Sequence, residues 1–111
     1  MAITVYEKPA CTTCRNLHDL LVERGIDFET VEYQVDGLTE PELRDLLSKA
    51  GISAEDALRI REPGAKELKG SSDDEIIAAM VEQPALLQRP FVVNGDKAVL
   101  ARPIDRTLEI L

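Results

Sequence analysis

With 111 residues, the chain has room for one compact domain spanning 1–111. Its formal net charge of −8, from 21 acidic against 13 basic residues, repels phosphate backbones and excludes general nucleic-acid binding. No basic cluster suits an anionic membrane surface, and no apolar run approaches the ~20 residues of a membrane span.

The opening MAITVYEKPA lacks a charged segment followed by an apolar one, so no secretory leader is expected and the setting is read as cytoplasmic. Two cysteines are not expected to form a merely structural disulfide there.

Residues 3–6 read as a short strand. Pro9-Ala10-Cys11-Thr12-Thr13-Cys14 opens a helical pattern in which Leu17, Leu20, Leu21 and Val22 share a face, and Gly25 stops it. Residues 26–33 alternate apolar and polar, which suggests a second strand. Val35-Asp36-Gly37 is a turn. Thr39 with Glu42 resembles a capping box, and Pro41 sits early enough in that helix for its missing N–H to cost little. Leu43, Leu46 and Leu47 form its buried stripe, and Gly51 ends it. A short helix is expected over 53–59, before Pro63-Gly64 breaks the pattern. Ser72 or Asp73 caps a further helix running to Glu82, with Ile76, Ile77, Met80 and Val81 inward, and Pro84 ends or kinks it. Residues 91–93 are a strand, Asn94-Gly95 is a two-residue hairpin signal, and 98–101 return. Pro103 starts a last short helix with Ile104, Leu108, Ile110 and Leu111.

The first strand, helix and strand imply a parallel pair, and the terminal hairpin adds an antiparallel one. The expected architecture is α/β: a four-stranded mixed sheet flanked by helices, with a helical insertion between strands two and three. It resembles thioredoxin-like proteins.

Cys11 and Cys14 form a C-x-x-C at the junction of the first strand and first helix. Free N–H groups and the positive end of the helix dipole stabilise a thiolate there, and Lys8 and Arg15 are near in sequence. The spacing puts both sulfurs on one side, close enough for a disulfide. Inert burial is the bland alternative. Two cysteines and one histidine are too few for a structural zinc site within one chain, while Cu(I) binding stays open. A phosphatase loop would need arginine six residues after its nucleophile, and Leu17 and Leu20 stand there.

The segments ITVYEKPACTTCRN, GIS with ALRIREPGAKELKG, VEQPALLQRPFVV and VLARP run in order through nearly the whole chain. Together they resemble the ArsC family of glutathione/glutaredoxin-coupled arsenate reductases and the related Spx and ArsC-like proteins. By that resemblance, Cys11 matches the nucleophile of a P-x-C-x-x-x-R loop whose arginine is Arg15. Arg59, Arg89 and Arg102 match an oxyanion-binding trio, and Pro90 matches a proline expected to be cis. The resemblance implies arsenate as substrate, no bound cofactor or metal, and glutathione/glutaredoxin or thioredoxin as electron donor and partner. The thiolate would attack arsenic, and a second thiol would release arsenite through a Cys11 disulfide. Guanidinium groups suit such anions because they stay charged and donate paired hydrogen bonds.

Each residue also has a plainer reading. Arg59 pairs with Glu55 or Glu62, Arg89 lies on the surface, Arg102 neutralises Asp105, Pro90 begins an edge strand, and His18 is a surface residue. Arg61 competes with Arg59 for the first arginine position. Two residues depart from the family pattern: Cys14 where a serine is common, and Glu7 where a histidine is common. A carboxylate at Glu7 would raise the pKa of a nearby thiol. Cys14 keeps two other readings open, an Spx-type disulfide switch and a thiol-disulfide reductase with another substrate.

Overall fold

The structure is a computed structural model, and it describes residues 3–111. Strand β1 (Ile3–Tyr6) leads through a loop into helix α1 (Thr12–Glu23), which crosses to β2 (Phe28–Val31). Then come α2 (Tyr33–Asp36), α3 (Glu40–Ala50), α4 (Ala65–Leu68) and α5 (Asp73–Glu82). The hairpin β3 (Phe91–Asn94) and β4 (Lys97–Leu100) follows, and a 3-10 turn, Ile104–Glu109, closes the chain. The four strands lie in the order β2-β1-β3-β4; β1 is parallel to β2 and antiparallel to β3. Among the described residues, no helix is long and apolar enough to cross a membrane.

Alternation along the strands splits the core between the two sheet faces. Ile3 and Val5 of β1 join Val92, Val99 and the α1 residues Leu17 and Leu21 on one face. Phe91 and Ala98 join Tyr33, Leu43, Leu46, Leu47, Ile76 and Met80 on the other. Helix α3 starts with the full Thr39–Glu42 capping box and ends at Gly51, whose φ of +67° suits glycine. Ser72 caps α5.

Four local expectations change. The second strand stops at Val31, and Tyr33 turns into α2, where its buried hydroxyl donates to the Leu87 carbonyl at 2.7 Å. Residues 53–59 form turns and no helix, because their backbone pairs with the segment before β3. Arg59 N–H donates to Leu86 O and Gln88 N–H to Ala57 O, both at 2.8 Å. The hairpin loop is Gly95-Asp96, since Asn94 still pairs with Lys97. Gly95 (φ +64°) takes the first loop position, where a type II′ turn requires positive φ. The last helix is 3-10, and its tighter period faces Ile104, Thr107 and Ile110 inward while Leu108 and Leu111 stay exposed.

Tyr33 ties α2 to the strand-like segment that precedes Arg89. Tyr33→Phe should lower stability by about 1–2 kcal/mol, since a buried carbonyl loses its donor. Urea denaturation checks this, and an unchanged midpoint would show that the bond contributes nothing.

Candidate active site

Tyr6 at the end of β1 pairs with Phe91 at the start of β3. The loop leaving β1 and the segment entering β3 therefore lie side by side. The first carries Glu7–Cys11, in which Cys11 N–H donates to Lys8 O at 2.9 Å. The second carries Arg89-Pro90, whose peptide bond is cis. Cys11 is the N-cap of α1 and half-buried, while Cys14 faces the core at 1% exposure. Both thiols are free.

The thiols are pushed in opposite directions. Burial raises the Cys11 pKa, but the Cys14 backbone N–H, the Cys14 thiol and the Arg89 guanidinium outweigh it and hold Cys11 below the ordinary thiol value. Burial pushes Cys14 up to about 12, with the Cys11 and Glu7 charges adding to it and the Lys8 N–H relieving only part. Cys11 is thus the more acidic thiol of the pair.

Arginines converge on that sulfur. Arg102 Nη2 stands 3.8 Å from Cys11 Sγ, and Arg102 Nε donates to Arg89 O at 2.6 Å. Arg59 Nη1 donates to Gln88 Oε1 at 2.9 Å. Burial and the charges of Arg89 and Arg102 lower the Arg59 pKa, as crowded like charges should. Arg89 is 5% exposed, and its Nε and Nη1 have no hydrogen-bond partner. Among the described residues, none of Arg59, Arg89 and Arg102 forms an ion pair with a carboxylate. A buried, unpaired guanidinium is costly unless an anion meets it. Cys11, Thr12, Thr13, Arg59, Arg61, Arg89 and Arg102 line a cavity of about 300 Å³.

The residues singled out in the sequence mostly meet here: Cys11, Arg59, Arg89 and Arg102 surround one space, with Cys14 behind Cys11, while Pro90 is buried and follows Arg89 through the cis bond. Arg15 is the exception. One position past Cys14, it is turned about 100° from the buried stripe and lines a separate hollow with Thr12, Asn16, His18 and Asp19. Arg61 joins Arg59 in the cavity. The two stand in one turn, closed by the Glu62 N–H donating to Arg59 O at 2.9 Å. Gln88 and the cis bond before Pro103 had no signal in the sequence. His18 is not a plain surface residue, since it bonds the buried Glu7.

A model of the ArsC family matches residues 6–110. The chain belongs to the ArsC family. Among its relatives is an arsenate reductase of Rhizobium meliloti, 36% identical over all of this chain and 82% of that protein. Another is the uncharacterized protein YfgD of Escherichia coli, 37% identical over 98% of this chain and 96% of that one. The solved arsenate reductase from Vibrio cholerae superposes with a TM-score of 0.92 at 34% identity, covering 100% of this chain and 98% of that one. The mixed sheet is therefore the thioredoxin-like ArsC fold.

In this ArsC-family chain, iodoacetamide near neutral pH should modify Cys11 and spare Cys14 in the folded protein. The Cys11 rate should rise with pH and level off earlier than for a free cysteine. Arg89→Met should move that curve to higher pH, because it removes a cation that favours the thiolate. Peptide mapping that found equal labelling, or an Arg89→Met curve that did not move, would contradict the assignment.

Proposed function

We propose that this chain is a thiol-dependent arsenate reductase acting as one unit over residues 1–111, in a reducing cytoplasm. The observation that carries this reading is Arg89: a buried guanidinium with two unpartnered N–H groups, beside the more acidic of the two thiols, in a cavity that gathers further arginines. Relatives over the full length that bear the name arsenate reductase support the substrate.

Arsenate enters as an anion, and Arg59, Arg89 and Arg102 offset its repulsion from the Cys11 thiolate. Arg61 stands at the same rim. Cys11 Sγ attacks arsenic, an S–As bond forms, and an oxygen leaves as water after protonation. A second thiol then attacks Cys11 Sγ. A disulfide forms, the S–As bond breaks, and its electron pair stays on arsenic, which departs as arsenite. Cys14 serves as that second thiol, and glutaredoxin with glutathione, or thioredoxin, returns the Cys11–Cys14 disulfide to thiols. An Spx-type switch would use the same cysteines but gives no reason for arginines without carboxylate partners.

Arsenate-dependent NADPH consumption, coupled separately through glutathione/glutaredoxin and through thioredoxin, tests the proposal. Cys11→Ser should abolish turnover. Arg59→Ala should lower kcat/KM for arsenate roughly tenfold or more, since a hydrogen bond to a charged group is lost, while Cys11 alkylation changes far less. No turnover by the parent chain with either donor would reject arsenate as the substrate, and equal losses in both readouts would reject an oxyanion role for Arg59.

A further inference from the structure

The groups around Cys11 also meet the needs of a reaction whose substrate carries no charge. A thiolate breaks an O–O bond efficiently when three things stand together. These are a sulfur that ionises readily, cationic donors where the departing oxygen gathers charge, and a route back from the oxidised sulfur. Cys11 is the more acidic of the two thiols and lies half-buried at the start of α1. Arg102 Nη2 stands 3.8 Å from its sulfur. Arg89 lines the same cavity, with Nε and Nη1 unpartnered.

Charge separates this reaction from the arsenate one. A chain of net charge −8 repels an oxyanion at a distance but leaves a neutral hydroperoxide alone. The arginines then act on charge that appears only in the transition state, where an oriented donor contributes most. Cys14 supplies the route back. It is a free, buried thiol three residues past Cys11, within the turn that Arg15 N–H closes on Cys11 O at 3.0 Å. Its pKa is pushed up to about 12, still below the ~15.7 of water. A hydroxide leaving Cys11 is therefore the stronger base and takes the Cys14 proton.

We propose that Cys11 also reduces hydroperoxides, with Arg89 and Arg102 stabilising the departing oxygen and Cys14 closing a disulfide. The first step needs no arsenate chemistry, and the second rests on the resolving role given to Cys14 above. Cys11 Sγ attacks one peroxide oxygen. An S–O bond forms, the O–O bond breaks, and its electron pair leaves with the far oxygen, which takes a proton from water. Sulfur is oxidised to a sulfenic acid as the peroxide is reduced. Cys14 Sγ then attacks Cys11 Sγ. The S–S bond forms, and the S–O bond breaks to release water that carries the Cys14 proton. A dithiol reductant returns two electrons and two protons to the disulfide.

The test uses the full reduced chain and hydrogen peroxide, with N-ethylmaleimide quenching and mass spectrometry of the thiols. The Cys11 rate should rise with pH and level off. At that plateau the sulfur is fully ionised, so thiol acidity drops out of the comparison. The plateau should exceed that of N-acetylcysteine by a factor on the order of a hundred or more, the size of effect expected of an oriented donor at a developing charge. Arg102→Met should lower it roughly tenfold or more. Oxidation of the parent chain should end in the Cys11–Cys14 disulfide, whereas Cys14→Ser should hold Cys11 as a sulfenic acid that dimedone captures. A plateau equal to that of N-acetylcysteine, or one that Arg102→Met leaves in place, would overturn the activity; the parent plateau carries the test if Arg102→Met does not fold. Dimedone capture as complete in the parent as in Cys14→Ser would overturn the resolving step. Arsenate turnover without the peroxide reaction would reject this proposal alone. The peroxide reaction without arsenate turnover would support it and reject the substrate proposed above.

Discussion

The pairing of Tyr6 with Phe91 is the constraint on which the rest of the site depends. It sets the first turn after β1 against the last turn before β3, so Cys11 and Arg89 face each other from opposite chain directions. The hairpin extends the arrangement: Phe91 pairs with Leu100, and Ala101 N–H donates to Pro90 O at 2.9 Å, which delivers Arg102 to the same end of the sheet. The bridge between Leu58 and Leu87 does the same for Arg59. A slip of one residue in β1–β3 would turn Val5 and Val92 away from α1, so burial of those side chains enforces the geometry of the chemistry.

The electrostatics follow from that convergence. A chain of net charge −8 should repel an oxyanion at long range. Screening confines exposed charges to about 8 Å at physiological salt, and the groups lining a half-enclosed cavity act over shorter distances in a lower dielectric. The acidic residues are spent elsewhere, on helix starts and surface pairs such as Arg44 with Asp74 and Lys49 with Asp45. The arginines near Cys11 are left with hydrogen bonds to Gln88 and to a backbone carbonyl, partners that leave their positive charge in place.

Much of the fold was legible because its elements carry local signals: the Thr39–Glu42 box, the α5 stripe and the strand–helix start at Cys11 read the same in sequence and structure. The failures share a cause in partners distant along the chain. Residues 53–59 have helical composition, but their backbone groups are claimed by residues 86–88, some thirty positions away. Tyr33 fits a strand pattern, yet it gains a buried acceptor only by leaving the strand. At the site, the arginines on non-helical segments were visible through family motifs. Glu7 with His18 was missed because nothing in their spacing shows that the end of β1 lies under the second turn of α1.

The reactive residue is also the N-cap of its helix, and a weak one. Its side chain makes no capping hydrogen bond, and the first turn of α1 holds no acidic residue. Helices α3 and α5, which bear no chemistry, have Thr39 and Ser72 at that position and carboxylates in their first turns. A serine or aspartate at position 11 would recover about 1 kcal/mol of helix stability. The same change would remove the sulfur or place a negative charge where an anion must bind. Thermal robustness and reactivity therefore favour different atoms at one backbone position, and the open helix end is stability forgone in keeping the sulfur there.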